Sequence, residues 1–357
     1  MENLRVLELY SGIGGMHYAL KESGIPFQIV AAIDINTTAN QIYRHNFPDT
    51  PLWNKTIEGI TLDELNKLSF DMILMSPPCQ PFTRIGLKGD VADPRTKSFL
   101  YILDLLPRLC RLPHFILMEN VKGFECSTAR EHFVKTLTEC GYSFQEIMVS
   151  PTSILDAFPH PAESNPPEKS TVLTPPCPGT CQPQENMEGV HVLYKLETTM
   201  DLQRKMNQNN DICVRQIQDF LEPQMEVNME DYLVPPKTLL RYALILDIVQ
   251  PTCRRSVCFT KGYGRYVEGT GSVLKCNMET EVETVFRGLD QYSDEEKLQR
   301  LLELKLRYFT PREVANLMGF PPSFSFPDKI PTKQQYKVLG NSLNVVVVAR
   351  LLQLLVS

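Results

Sequence analysis

The sequence predicts an α/β fold with a doubly wound, mostly parallel sheet and a smaller second region. Short apolar runs alternate with helical patterns through the first 150 residues, and acidic or glycine-rich segments follow several of these runs. This alternation is typical of βαβ units, whose sheets are covered by helices on both faces. With 357 residues and 43% hydrophobic content, the chain is long enough to bury a large core.

Five apolar runs are predicted to be strands. They are LRVLELY (4–10), FQIVAAID (27–34), FDMILMS (70–76), HFILMEN (114–120) and YSFQEIMVS (142–150). Helical patterns separate them in MHYALKES, TANQIYRHNF, SFLYILDLLPRL and AREHFVKTLTECG. Ligands of parallel sheets bind at the carboxyl ends of the strands, so we expect the functional residues there.

Composition divides the rest of the chain. Residues 151–183 contain nine prolines and no apolar period, which predicts an irregular or disordered segment. Beyond it we expect a polar helix near 196–222 and further helices near 293–306, 311–318 and 342–356. The predicted units are a catalytic and cofactor-binding domain (1–153), the proline-rich segment (154–190), a target-recognition region (191–305) and a C-terminal segment that returns to the catalytic domain (306–357).

Charge and cysteine content restrict the class of protein. The net charge of −6 argues against a general polyanion binder, so a nucleic-acid partner would need a local basic patch. Ten irregularly spaced cysteines in a chain of this length indicate reduced thiols. No signal peptide or membrane span is evident. We expect a soluble monomer of the cytoplasm, with the nucleus as an additional location.

Cys79 stands in SPPCQPF, a loop that its prolines make rigid. A thiolate is the strongest nucleophile among the side chains, so a catalytic nucleophile is one interpretation, and a small apolar core residue is the other. Glu119 ends the next predicted strand, where a buried carboxyl group could donate a proton or enter an ordinary salt bridge.

The segment ELYSGIGGM is predicted to form a nucleotide or nucleoside cradle. Its glycines let the backbone approach a ligand, although an ordinary βα turn would look the same. Asp34 ends the second strand, where it could accept hydrogen bonds from ribose hydroxyls. Alternatively, Asp34 or Asn36 caps the following helix.

A basic and aromatic segment, CRRSVCFTKGYGRY, suits phosphate contacts and base stacking. It carries Arg254, Arg255, Lys261 and Arg265, interleaved with Phe259, Tyr263 and Tyr266. A solvated basic loop would have the same composition. Cys177 and Cys181 lack further ligands at zinc spacing, so no metal site is expected.

The ordered motifs YSGIGG, PPCQPF, ENV, RYFTPRE, GFP and LGNSLN resemble those of the cytosine-C5 methyltransferase family. CFTKGYG resembles the branch of that family that acts on transfer RNA for aspartate, at a cytosine of the anticodon loop (position 38). The resemblance covers about 1–153 and 191–357. It implies tRNA as the partner, with DNA as a weaker alternative.

The resemblance also implies the site. Cys79 would attack C6 of a flipped-out cytosine, and Glu119 would hold N3 and the exocyclic amine. The implied cofactor is S-adenosylmethionine, which leaves as S-adenosylhomocysteine. The residues implied to bind it are Tyr10, Ser11, Gly12, Ile13, Gly14, Gly15, Asp34, Ile35, Ile57, Glu58, Ser76, Pro78, Ser98, Asn341 and Ser342. Those implied to bind RNA are Arg84, Arg95, Lys122, Arg254, Arg255, Cys258, Phe259, Thr260, Lys261 and Tyr263.

One departure from the family pattern concerns the strand after YSFQEIMVS, which normally carries an R-x-R pair that orients the target base. Here SPTS runs into the proline-rich segment, and no such pair follows. HVLYKLE (191–197) is a candidate substitute. Three functions remain open: an active RNA cytosine-C5 methyltransferase, an inert form that binds cofactor and RNA, and a DNA methyltransferase.

Overall fold

A five-stranded sheet, parallel throughout, forms the larger part of the fold. The computed structural model describes residues 3–79, 90–149, 151, 199–223 and 228–357. Segment 154–190, HVLYKLE, Cys177, Cys181 and Arg84 lie outside these ranges. The strands of the sheet are β1 (Leu4–Leu9), β2 (Phe27–Asp34), β3 (Leu52–Asn54), β4 (Met72–Met75) and β5 (Phe115–Met118).

The strand order is β3-β2-β1-β4-β5. The chain builds the sheet in one direction from β1 to β3 and then returns to add β4 and β5 on the other side of β1. The point where the order reverses therefore lies between β1 and β4, and ligands of open α/β sheets bind outside the carboxyl ends of the strands at this point.

Twelve α-helices lie within the described residues. They are α1 (Gly15–Ser23), α2 (Thr37–Asn46), α3 (Leu62–Leu68), α4 (Lys97–Leu105), α5 (Thr128–Glu139), α6 (Thr199–Asn210), α7 (Pro236–Tyr242), α8 (Val282–Phe286), α9 (Asp294–Glu303), α10 (Pro311–Leu317), α11 (Thr332–Leu339) and α12 (Val345–Val356). None of these helices is long and apolar enough to cross a membrane.

Both faces of the sheet are buried, because successive side chains of a strand point to opposite faces. Val6 packs into a cluster with residues of α1, α2 and α12, whereas Leu7 packs into a second cluster with residues of α4 and α5. Helices thus cover the sheet on both sides, and the predicted doubly wound α/β fold is confirmed.

The prediction of a strand over 142–150 is wrong. Residues 142–149 follow α5 without regular secondary structure, and Phe144, Ile147 and Met148 are exposed. Among the described strands, β5 ends the sheet on this side, and no described strand pairs with residues 142–149. The sequence analysis also missed β3, which has only three residues.

The smaller region contains a three-stranded sheet of β6 (Ile248–Val249), β7 (Val273–Lys275) and β8 (Leu306–Arg307). It has its own apolar cluster, formed with residues of α7, α8 and α9. The polar helix predicted near 196–222 is shorter than expected and ends at Asn210.

The run VVVVARLLQLLV forms helix α12, as predicted. Asn344 caps it, because its side chain accepts a hydrogen bond of 3.1 Å from the Val347 N–H. The helix packs along α1, and its buried residues Val348 and Leu352 share a cluster with Met16 and Leu20. The C-terminal segment therefore lies against the helix that follows the glycine turn.

Candidate active site

The carboxyl ends of β1, β2, β4 and β5 open onto a cleft whose other wall comes from the smaller region and the start of α12. Its volume is about 3370 Å³. Pockets for drug-sized ligands measure roughly 300–1,000 Å³, so the cleft has room for a small molecule and for part of a macromolecule.

The glycine turn after β1 enters this cleft on strained backbone. Tyr10, Gly12 and Gly14 have φ values of 57°, 53° and 89°. Gly14 must be a glycine for two reasons: its φ is in the left-handed region, and a β-carbon there would lie 2.5 Å from Cε2 of Phe47. Gly14 therefore serves the packing of α1 on Phe47, while Gly12 and Gly15 line the cleft.

Asp34 holds the turn from the end of β2. Its Oδ2 accepts a hydrogen bond from the Gly12 N–H at 2.9 Å, and its Oδ1 accepts one from the Asn36 N–H at 2.7 Å. Burial raises the pKa of Asp34, and these backbone N–H groups oppose the increase. Asn36 itself caps α2 through bonds from Thr38 and Ala39, so Asp34 is not the helix cap.

The other residues predicted to bind the cofactor lie around the same cleft. Those that line it are Tyr10, Ser11, Gly12, Ile13, Gly15, Asp34, Ile35, Ile57, Glu58, Ser76, Pro78, Ser98, Asn341 and Ser342. The Tyr10 hydroxyl donates to Ser98 Oγ of α4 at 3.0 Å, and Ser76 Oγ donates to the Tyr10 carbonyl at 3.4 Å, which links the ends of β4 and β1.

These residues fit a polar nucleoside ligand. The side chain of Ser11 is 4% exposed, and its Oγ has no hydrogen-bond partner among the described residues. A buried hydroxyl without a partner costs free energy, which a ligand hydroxyl or carboxylate would recover. Ile57 is buried beside the cleft, and Ile35 is 62% exposed at its rim, so both offer apolar contact to a purine ring.

Cys79 lies on the loop that follows β4. The Asn120 side chain donates to the Pro77 carbonyl at 3.4 Å and so ties this loop to the end of β5. Burial and the charge of Glu119 raise the pKa of the Cys79 thiol, while Lys261 and Arg95 oppose the increase. Sequence analysis did not single out Asn120, although it is the central residue of ENV.

Glu119 comes directly after β5, and its N–H continues the ladder to β4 with a bond of 3.0 Å to the Met75 carbonyl. Burial raises the pKa of Glu119 from 4.5 to about 7. A carboxyl group of this kind can donate a proton near neutral pH. A neutral Glu119 also no longer raises the pKa of Cys79. Protonation of Glu119 therefore favours the thiolate form of Cys79.

The CFTK segment (258–261) brings further predicted residues to the cleft. Desolvation of the Cys258 thiol by the neighbouring residues raises its pKa, and the charges of Glu119 and Cys79 raise it further. Within the described ranges, no carboxylate pairs with Lys261. The residues predicted to bind RNA that line the cleft are Arg95, Lys122, Arg254, Arg255, Cys258, Phe259, Thr260 and Lys261.

Several of these residues have structural partners that the sequence did not reveal. Arg255 is 8% exposed and donates to both carboxylate oxygens of Asp247, at 3.0 and 2.9 Å. Phe259 and Tyr263 are also buried, and their rings meet edge to face at 4.9 Å. Their rings serve the core rather than a stacking surface. Arg254 donates to the carbonyl of Val214.

The sheet order and the position of the cleft together define a class I methyltransferase fold. The model of the C-5 cytosine-specific DNA methylase family matches residues 4–159 and 186–357. The chain belongs to this family. Its members use S-adenosylmethionine, and the residues around the glycine turn fit that ligand.

Three relatives illustrate the similarity. A human tRNA (cytosine(38)-C(5))-methyltransferase is 54% identical over 391 residues, which cover 99% of this chain and 100% of the relative. A DNA (cytosine-5)-methyltransferase of Dictyostelium discoideum is 37% identical, over 100% of this chain and 95% of its own. The crystal structure of a DNMT2 mutant from Spodoptera frugiperda superimposes with a TM-score of 0.75 at 38% identity, covering 99% and 100% of the two chains.

Proposed function

We propose that the chain methylates C5 of a cytosine in the anticodon loop of tRNA, at position 38 of tRNA for aspartate, through a covalent adduct with Cys79. The observation that carries the proposal is that Cys79, on the loop after β4, and Glu119, directly after β5, line the same cleft, where the charge of Glu119 raises the pKa of Cys79. The human relative is named as a methyltransferase of C5 of cytosine 38 in tRNA.

The chain's own residues would activate the base in two ways. Addition of the Cys79 thiolate to C6 moves the ring electrons onto C5, which is otherwise a poor nucleophile. The neutral Glu119 carboxyl donates to N3 and takes up the charge that develops there. Lys261 favours the thiolate form of Cys79. After transfer, the C5 proton passes to solvent water as the C6–S bond breaks and releases the thiolate, and N3 returns its proton to Glu119 as the ring becomes aromatic again.

S-adenosylmethionine, when bound, supplies the methyl group. Asp34 would hold its ribose hydroxyls, and Ser11 would contact a polar group of the ligand, since its Oγ is buried without a partner. Ser342 lies over the first turn of α1, with its Oγ 2.9 Å from the place of a β-carbon on Gly15. The start of α1 therefore lies against the LGNSLN motif.

An RNA substrate is favoured over duplex DNA by the distribution of charge. The chain carries a net charge of −6, and the described lining of the cleft mixes eight cationic side chains with six carboxylates, so it forms no continuous basic surface. A long duplex interface requires many phosphate contacts, whereas an RNA loop is bound through shape and splayed bases. The Dictyostelium relative is named for DNA methylation, which makes DNA the second candidate.

Transfer of tritium from methyl-labelled S-adenosylmethionine tests this proposal. The purified chain is incubated with total tRNA, with tRNA for aspartate in which cytosine 38 is replaced by uridine, and with duplex DNA. We expect label in the first substrate only. Equal label in the uridine variant would contradict the target position, and label in DNA alone would contradict the substrate class.

A further inference from the structure

Tyr266 is an exposed aromatic residue that belongs to the cleft. It is 58% exposed and lines the cleft together with Arg265. Single exposed aromatic residues are common on protein surfaces. Tyr266 differs because its ring lies on the same segment as Lys261, whose charge reaches Cys79.

The turn that carries Tyr266 is rigid. The backbone N–H groups of Arg265 and Tyr266 both donate to the Gly262 carbonyl at 2.9 Å, and the Thr270 hydroxyl donates to the Tyr266 carbonyl at 2.8 Å. The ring rests against Gly262, where a β-carbon would lie 2.9 Å from Tyr266 Cδ2. A ring fixed in this way loses little conformational entropy when a base stacks on it.

Arg265 adds a cation to the ring. Its guanidinium carbon lies 5.1 Å from the centre of the Tyr266 ring. Within the part of the chain that the structure describes, no carboxylate pairs with Arg265. Proteins bind single-stranded nucleic acids with this combination of an aromatic ring and an adjacent guanidinium group that no carboxylate neutralises. A base stacks on the ring, and a phosphate binds the cation.

We propose that Tyr266 stacks against a base that neighbours the target cytosine in the loop, and that Arg265 binds a phosphate next to it. Phe259 and Tyr263 lie in the core, so Tyr266 supplies the stacking surface of this segment. The inference rests on the proposed function, since it assigns a second contact to the same RNA loop. In this role, Tyr266 and Arg265 help to determine which positions of the RNA loop the cleft accepts.

Binding of an anticodon stem-loop RNA to the full chain, with each loop base removed in turn, tests the stacking. The wild-type chain should lose about 5- to 150-fold in affinity when one particular neighbour of the target base is absent. Tyr266→Ala should bind the intact RNA more weakly by the same factor and lose nothing further at that position. Tyr266→Phe should behave as the wild type, because it keeps the ring.

Tyr292→Ala is the matched control. Tyr292 carries a similar cation, with the Arg300 guanidinium carbon 3.9 Å from its ring centre, but it does not line the cleft. Its removal should leave RNA affinity unchanged. Arg265→Ala should reduce the slope of log affinity against log salt concentration by about one, as expected for one lost phosphate contact.

The outcomes separate this inference from the function on which it rests. If Tyr266→Ala binds the intact RNA as tightly as the wild type does, the stacking is overturned and the function is not. The same holds if the affinities of both chains fall in parallel at every abasic position. A single-stranded DNA of the same loop sequence is measured alongside. If the wild type binds only this DNA, and Tyr266→Ala weakens that binding, the stacking stands and the RNA function falls. Failure of the wild type to bind either strand overturns both.

Discussion

Gly340 and Thr260 are in direct backbone contact: a β-carbon on Gly340 would lie 2.1 Å from the carbonyl carbon of Thr260 and 2.2 Å from the Lys261 nitrogen. Gly340 has an ordinary helical φ of −69°, so it is not required for an unusual backbone conformation. It is required because the CFTK segment lies against it. The LGNSLN motif thereby fixes the segment that presents Lys261 to Cys79.

Replacing Gly340 by alanine should displace the CFTK segment. Backbone atoms at 2.1 Å cannot yield by rotating a side chain, so the segment itself must move. We expect a loss of 10²-fold or so in methyl transfer, which displacements of about 1 Å can cause, with a smaller effect on the binding of S-adenosylhomocysteine. Gly141→Ala is the control for general destabilisation, since its φ of +80° strains an alanine but nothing lies within 4 Å of that site. Equal activity of Gly340→Ala and the wild type would show that the contact is not needed.

Ligand binding should stabilise the chain through the glycine turn and Asp34. Saturating S-adenosylhomocysteine is expected to raise Tm by several degrees, because a ligand at 100 times its Kd contributes about 2.7 kcal/mol. Asp34→Ala removes the acceptor of the Gly12 N–H and of the ligand, and should weaken binding about 10- to 100-fold. Cys79→Ala should bind as the wild type does. A folded wild-type sample without any shift in differential scanning fluorimetry would contradict the assignment of the cradle.

A covalent complex should form on RNA that carries 5-fluorocytosine at the target position, because the fluorine cannot leave as a proton does. The complex is detected as a band of reduced mobility in a denaturing gel. Cys79→Ser should abolish it, since the hydroxyl is a far weaker nucleophile than the thiolate. Substitution of Cys110, Cys126 or Cys140 by serine should leave it intact. A complex that persists in Cys79→Ser would assign the chemistry to another thiol.

Stability should fall as pH rises from about 4.5 to 7, in part because of Glu119. Burial raises the pKa of Glu119 from 4.5 to about 7, so the folded chain binds this proton more tightly than the unfolded chain. Its contribution is complete below pH 4.5 and is lost as pH rises through 7. Glu119→Gln should therefore reduce the fall in unfolding free energy between pH 5 and 8 by about 1–3 kcal/mol. The exposed Glu22→Gln serves as control, and identical pH profiles for wild type and Glu119→Gln would contradict the assignment.

The sequence predicted the parts of the fold that depend on long apolar runs. Strands β1, β2, β4 and β5 each lie within a run that was read as a strand. Because these strands are parallel, their carboxyl ends meet at one edge, and Asp34, Cys79 and Glu119 were correctly expected at or just after strand ends. The three residues of β3 are too few for an alternating or apolar pattern to be recognised.

Two features could not be predicted, because they depend on neighbours in space. The run YSFQEIMVS has the composition of a strand, but composition does not supply a pairing partner. Likewise, CRRSVCFTKGYGRY contains aromatic and basic residues whose burial depends on the packing of the smaller region. Arg255 pairs with Asp247, and Tyr263 donates to the Ser272 carbonyl at 2.7 Å.

The edge of the sheet at β5 leads to the last prediction. The four residues of β5 are apolar yet all partly exposed, whereas the four residues of β4 are all buried. The alignment with the human relative is 391 positions long, but this chain has 357 residues, and the match to the family model is interrupted between residues 159 and 186. The relative therefore carries residues that this chain lacks.

Insertion of a strand with the family's R-x-R pair in place of the proline-rich stretch should stabilise the chain and accelerate methyl transfer. Each buried backbone group without a partner costs about 1–3 kcal/mol, against a total of roughly 5–15 kcal/mol for a typical domain, so a few such groups at the edge of β5 decide the stability. The arginine pair should also improve the positioning of the target base.

Tm and tritium transfer to tRNA are measured for both chains, together with an inserted strand in which both arginines are alanine. That control should recover the Tm but only part of the rate. Equal Tm values and equal rates for the original chain and the restored chain would show that the edge of β5 needs no further strand.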